Sequence, residues 1–312
     1  MKGLELSKRF FTICAKPILE KRLPIALERC AIGLAGEGSE CFGFDDELSL
    51  DHDFEPGFCL WISENDYNSF GFELERLYES LAKEFEGFSR QSISPVGGRR
   101  HGVIKTADFY SRFLGSPSSP QSLEHWLSIP SEALASAVNG EVFLDNLGEF
   151  SKIRASLLKG YPEDVVLKKL AAHLVMMSQS GLYNYERCIK RGENGAAQLA
   201  VFKFAEHTTS VIYLLNNVYK PFYKWVYKAM RNLPILSNLE QPIVALTELS
   251  NGEIEFAAKK ESIEEISALI CSQLKALGFC SFDEPNLEKH AFCIQNKIKN
   301  STLRNMHIMD GI

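Results

Sequence analysis

Residues 36–54 read GEGSECFGFDDELSLDHDF, and their types and spacing could do chemistry. Asp51 and Asp53 stand one residue apart. On a strand, side chains at that separation share a face, and His52 points to the other. Two carboxylates so placed repel each other, and a hard divalent cation relieves the repulsion. Magnesium takes oxygen ligands and is held by one or two carboxylates together with substrate phosphates. Two such ions can clamp the attacking and leaving oxygens of a phosphoryl transfer. Gly38 and Ser39 lie upstream, where the apolar run CAIGLAGEG ends. A turn there presents backbone N–H groups and a hydroxyl to a phosphate, and glycine lets the phosphate come close. Both halves suit one ligand, a nucleoside triphosphate. Its phosphates would sit on Gly38 and Ser39, and its magnesium or manganese on Asp51 and Asp53.

The spacing carries a resemblance. GSECFGFDDELSLDHD resembles the signature of the DNA polymerase beta-type nucleotidyltransferase superfamily, a Gly-Ser pair, a second glycine, a serine and then Asp-x-Asp. Gly38, Ser39, Gly43, Ser49, Asp51 and Asp53 match it. Leu50 is an extra residue between the serine and the first acid. The resemblance implies an α/β (α+β) domain with a small mixed sheet, metals on Asp51 and Asp53, and ATP or another triphosphate on Gly38, Ser39 and Ser49. Small antibiotic nucleotidyltransferases, and the minimal ones of toxin–antitoxin pairs, share the pattern and often join it to a helical bundle. GEGSECFGFDDELSLDHDF, NGEVFLDNLGEFSKIR, GLYNYERCIKRGE and LLNNVYKPFYKW together resemble, over most of the chain, the family called domain of unknown function 4037.

Active members of the superfamily usually carry a third carboxylate on a later strand. Asp145, in EVFLDN, is the strand-borne candidate here. Some relatives take the base from the helical domain, and Glu206, in FKFAEHTTS, is the analogue. Asp108, after VIKTA, suits a helix cap. Arg99 and Arg100 follow Gly97-Gly98 and offer a phosphate fork. Arg187 and Arg191 share a helix face near Tyr183, Asn184 and Tyr185. There a tyrosine could stack on a base while an arginine holds phosphate; the alternative is an amphipathic surface with a tyrosine rim. The run from Asn216 to Trp225 reads as a buried polar network or the lining of a ligand cleft. His173 and His207 read as packing histidines, and Asp45-Asp46-Glu47 as a solvated turn.

These residues need elements to position them. Residues 3–21 read as a helix, 30–38 as a strand entering a tight turn, 52–62 as a second strand and 64–88 as a helix capped by Asn65 or Asp66. VIKTADFY reads as a third strand and NGEVFLDNLGEF as a strand and turn. From residue 151 the texture is helical, with breaks at Gly192–Gly195, Pro221, Pro234 and Pro285. The division expected is a nucleotidyltransferase-like domain at 1–150 and a helical bundle at 151–312 that binds acceptor or partner.

The 312 residues carry a net charge of −6, with 45% hydrophobic and 24% charged side chains. That is a globular composition, and the acidic balance disfavours a grip on bulk nucleic acid. The eight cysteines form no C-x-x-C, so reduced thiols in the cytoplasm are expected. No apolar run reaches the length of a membrane span. The function expected is metal-dependent transfer of a nucleoside monophosphate from a triphosphate to a hydroxyl of a small molecule or protein. The alternatives are a nucleotide-sensing module that has lost transfer, and an interaction protein of the toxin–antitoxin type.

Overall fold

The structure is a computed structural model that describes residues 1–50, 54–90 and 100–312. It is mostly helical, with one small mixed sheet. The chain divides into two compact units, 1–120 with 129–159, and 121–128 with 160–312.

The first unit is built on four strands, β1 (Ala31–Leu34), β2 (Cys59–Ile62), β5 (Gly102–Lys105) and β6 (Glu141–Leu144), in the order β5-β2-β1-β6. The short strands β3 (Glu84–Phe85) and β4 (Phe88–Ser89) form a separate hairpin. β1 runs antiparallel to β2 and β6, and β2 parallel to β5. Alternation along β2 divides the apolar residues between two faces. Leu60 and Ile62 join Phe10, Phe11, Leu19, Leu74 and Leu77 in one core. Residues 3–22 run helical through Gly3–Arg9, Phe10–Ala15 and Lys16–Arg22, and their apolar stripe supplies much of it. On the opposite face Trp61 stacks on Phe150 at 3.9 Å and 15° and meets the edge of Phe109 at 5.4 Å.

Gly33 lies inside β1, where a glycine is otherwise unfavourable. A Cβ there would stand 2.3 Å from the Glu141 carbonyl oxygen and 2.9 Å from the Trp61 ring. The β1–β6 register shifts at this point, between Ile32 and Gly33. The glycine therefore lets β6 close against the strand.

Several elements differ from the sequence reading. The segment VIKTADFY is strand only to Lys105; Thr106–Leu114 is a helix, whose buried Phe109, Tyr110 and Phe113 recur at helical spacing. The helix expected over 64–88 ends at Glu79, and the β3–β4 hairpin follows. Its cap is Ser63, whose hydroxyl accepts the Asp66 N–H at 3.1 Å; the Asp66 carboxylate pairs with Arg29 at 3.0 Å. Helices Leu123–Ser128 and Ser131–Val138 were not anticipated. The helix Glu149–Leu157, straddling residue 150, belongs to the first unit, with Phe150 against Trp61. Asp45 is buried rather than solvated, and its carboxylate accepts the Gly3 N–H at 2.8 Å. It thus ties the acidic turn to the start of the first helix.

The second unit is a bundle whose long helices are Glu163–Met177, Asn194–Leu215 and Glu253–Ala276. Lys168 is fully buried, and its ammonium donates to the carbonyls of Met306 and His307, which fastens the end of the chain to the bundle. Of the two roles read for its run, Asn216 takes the structural one, donating to the carbonyls of Ile212 and Ile235 and accepting the Ile235 N–H at 2.9 Å. His173 and His207 meet across two helices, Nδ1 to Nδ1 at 2.9 Å. One ring must donate and the other accept through an unprotonated nitrogen, so the pair cannot be doubly charged.

Burial holds both imidazoles below their ordinary value; the His207 pKa is lowered to about 4 and that of His173 well below normal, with Lys220 acting in the same direction on both. A histidine whose folded pKa is depressed stabilises the fold above its unfolded pKa of about 6.5 and loses that contribution as pH falls toward the folded value. His207 alone should cost roughly 2–3 kcal/mol between pH 7.5 and 4.5. Thermal melts of wild type and His207→Gln across that range check it. The wild-type midpoint should fall the more steeply, and parallel curves would refute the assignment.

Candidate functional site

The strand registers bring several loops to one end of the sheet. Leu34 lies beside Glu141, Gly33 beside Cys59, and Cys59 beside Gly102. The loop after β1, the approach to β2, the residues before β5 and the turn before β6 therefore share that end. Gly38, Ser39, Arg100 and His101 all belong to it.

The loop from Gly36 to Cys41 is held by its neighbours. The Asn139 amide brackets Gly36, accepting its N–H at 2.8 Å and donating to its carbonyl. The Gly140 N–H donates to the Cys41 carbonyl at 2.8 Å. Arg154 in turn donates to the carbonyls of Val138 at 2.8 Å and Gly140 at 3.1 Å. The stretch NGEVFLDNLGEFSKIR thus acts as a brace for the glycine loop. Ser39 precedes a turn of 3₁₀ helix, Glu40–Phe42, and Gly43 closes that turn at φ 70. This left-handed backbone accounts for the second glycine of the signature.

Gly38 is buried, and two side chains lie directly over it. A Cβ there would be 2.0 Å from Glu40 Oε1 and 2.1 Å from Arg100 Nη2. Those groups form an ion pair at 2.7 Å, with side chains only 12% and 23% exposed. A second, more exposed ion pair joins Arg112 to Glu37 of the same loop. His101 Nδ1 lies 2.9 Å from Glu55. The cavity lined by Gly36, Gly38, Glu40, Cys41, Arg100 and Arg112 measures about 30 Å³. That is far below the roughly 300–1,000 Å³ of ordinary ligand pockets. A second hollow of about 400 Å³ is lined by Glu5, Asp45, Asp46 and Glu47 with Lys2, a net negative wall that repels phosphate in the absence of a cation. Burial raises the Cys41 thiol well above its usual range and pushes Cys59 up to about 12. Both stay protonated at neutral pH and are not nucleophiles.

Asp51, Asp53 and Arg99 lie outside the described residues. The Ser49 hydroxyl is engaged in its own turn, accepting from the Asp46 N–H and reaching the Asp46 carboxylate, both at 3.2 Å. Asp145 stands just past β6, beyond Leu144, which lies beside Ile32. That is the opposite end of the sheet from Gly38. Its carboxylate accepts the N–H groups of Gly148 at 2.9 Å and Ser151 at 2.8 Å, so it caps the helix Glu149–Leu157. Asp108 is exposed in the first turn of its helix, where it favours the positive end of the dipole rather than serving as the cap. Glu206 is exposed on the second unit, as is Arg191. Arg187 stacks on the Tyr183 ring at 3.9 Å and donates to its hydroxyl at 2.8 Å, so the arginine itself covers the face proposed for a base. Tyr185 is buried, not part of a rim.

Sequence reasoning missed Glu37, Glu40, Arg112, Asn139 and Arg154. The readable signal was GEGSE itself, acids alternating with the small residues of a turn, where an acid is out of place for phosphate unless a cation answers it.

Residues 126–226 match the model of a family described as a domain of unknown function, DUF4037. This is a shorter span than the resemblance in the sequence. It takes in the brace at Asn139 and Arg154 and much of the helical unit, and it begins after the glycine loop. No curated protein and no solved structure matches the chain. Among the described residues, no helix is long and apolar enough to cross a membrane, and no group of three or more His, Cys, Asp or Glu side chains could hold a metal ion.

Proposed function

We propose that the first unit binds a nucleoside triphosphate at the Gly38–Ser39 turn and transfers its nucleoside monophosphate to a hydroxyl of a small molecule or protein. The observation that carries this reading is the meeting of the glycine loop with Arg100 and Arg112 at one end of the sheet. A buried glycine beside two guanidinium groups suits a polyanion that must approach the backbone closely. A magnesium ion belongs to the proposal on the sequence pattern, with Asp51 and Asp53 as its ligands. Of the described carboxylates in this stretch, Glu37 and Glu40 pair with arginines, and Asp45 accepts from Gly3 through one oxygen.

A second reading is favoured by Asp145 and Asp108. One caps a helix at the far end of the sheet and the other is exposed on a helix, so neither offers a base beside Gly38. A module that binds the triphosphate without transferring it accommodates that arrangement.

Titration calorimetry with each triphosphate, with and without magnesium, tests the binding. Asp51→Asn and Asp53→Asn should each weaken magnesium-dependent affinity at least tenfold while leaving the melting midpoint near that of wild type. Ser39→Ala should lose a hydrogen bond to a charged oxygen, about 1.5–3 kcal/mol. Unchanged affinity in all three variants would remove the nucleotide from this site. Pyrophosphate release with cell extract as the acceptor source separates transferase from binding module.

A further inference from the structure

The Arg100–Glu40 pair lies in the space that the phosphate reading assigns to the ligand. Its carboxylate and guanidinium stand over Gly38, where any side chain would collide with both. We propose that this pair is a latch: the Glu40 carboxylate occupies on Arg100 the place of a phosphate oxygen, and a triphosphate binds by displacing it. The inference rests on the nucleotide reading of the site and adds its regulation.

Three features separate a latch from a structural ion pair. The carboxylate and the glycine it covers belong to one short loop, two residues apart, so the loop carries its own competitor for the arginine it would present to a ligand. A second arginine of the cavity lining, Arg112, is also paired with an acid of this loop, Glu37, which precedes Gly38, although that pair is more exposed. The cavity that remains, about 30 Å³, admits a water and not a triphosphate. Occupation of the site therefore requires these side chains to move. Glu37 is 54% exposed and can turn out to solvent readily. Glu40 is mostly buried and sets the resistance.

Displacement leaves two guanidinium groups facing the ligand and moves two carboxylates away from it. With the two carboxylates turned away, the described side chains present more positive charge to the ligand. An anion with two or more charged oxygens can answer both arginines, in bidentate fashion where geometry allows. A single carboxylate or chloride replaces one partner at best. The latch thus selects for polyphosphate over small monovalent anions. It also keeps the arginines paired when no ligand is present.

The test uses the full chain, with inorganic tripolyphosphate and with magnesium ATP as probes. Glu40→Gln should bind tripolyphosphate at least tenfold tighter than wild type. Arg100→Gln should bind at least tenfold more weakly, and the double variant no better than Arg100→Gln. Glu40→Asp keeps the charge on a shorter arm and should fall between wild type and Glu40→Gln; it decides the matter if Glu40→Gln fails to fold. If wild type binds ATP and Glu40→Gln or Glu40→Asp is no tighter, the latch is overturned and the nucleotide reading stands. If neither probe binds wild type or the Glu40 variants, the nucleotide reading falls and takes the latch with it.

Discussion

Trp61→Ala is expected to lower the unfolding free energy of the first unit by about 3–5 kcal/mol, the usual cost of deleting a large buried aromatic. Trp61 is 1% exposed and stacked on Phe150 at 3.9 Å, with Phe109 at its edge. Its loss would leave β2 without its partner on that face. The indole N–H is buried with no hydrogen-bond partner among the described residues, which offsets part of the gain from burial. Trp61→Phe removes that unsatisfied donor while keeping a ring in the stack. It should therefore cost far less than the alanine variant. Calorimetry is the measurement, since the two units can unfold in separate transitions. A loss under about 1 kcal/mol in Trp61→Ala would mean that this face does not hold the sheet together.

The sheet was legible where short apolar runs alternate or stay unbroken. CAIGL and FCLWI are buried on both faces, and nothing but a central strand suits them. The helix Thr106–Leu114 was not legible. TADFY is rich in β-branched and aromatic residues, which favour strands by propensity, and only packing on Trp61 reveals the helical spacing of Phe109, Tyr110 and Phe113. The β3–β4 hairpin was hidden by a helical pattern that continues through it. Glu86 and Gly87 carry the turn at φ 50 and 86, a left-handed pair of the kind two-residue hairpins require.

The site divides along the same physical line. Gly38 and Arg100 were candidates because residue type alone recommends them. Glu40 was not, because its role depends on a partner 60 residues away in sequence. The same holds for Asn139, which brackets Gly36 across 103 residues. Asp145 misled for a related reason. An acid at the end of a strand is consistent with a metal site and with a cap for the following helix, and the direction of β6 in the sheet decides which end of the domain it reaches. Direction within a mixed sheet is set by long-range pairing, which local sequence does not encode.

Gly38→Val is expected to abolish triphosphate binding at modest cost to the fold. Each tenfold loss corresponds to about 1.4 kcal/mol, and the loss should exceed tenfold. The reason lies in what surrounds the missing side chain. At Gly33 the nearest atoms to an added Cβ include the backbone of Glu141 and Val142, which cannot yield without breaking the sheet. At Gly38 they are the far ends of Glu40 and Arg100. Those ends can swing aside, so overpacking should cost about 1–3 kcal/mol rather than the fold. The valine would then fill the space left by the ion pair. A phosphate could no longer approach the backbone even though the Arg100–Glu40 pair had opened. Adding Glu40→Gln to Gly38→Val should therefore restore nothing, whereas Glu40→Gln alone should tighten binding. Paired titrations of tripolyphosphate against the single and double variants, with melts to confirm folding, make the comparison. Wild-type affinity in a folded Gly38→Val would mean that the ligand does not use this turn, since no polyphosphate can occupy the cradle and leave room for a β-branched side chain in it.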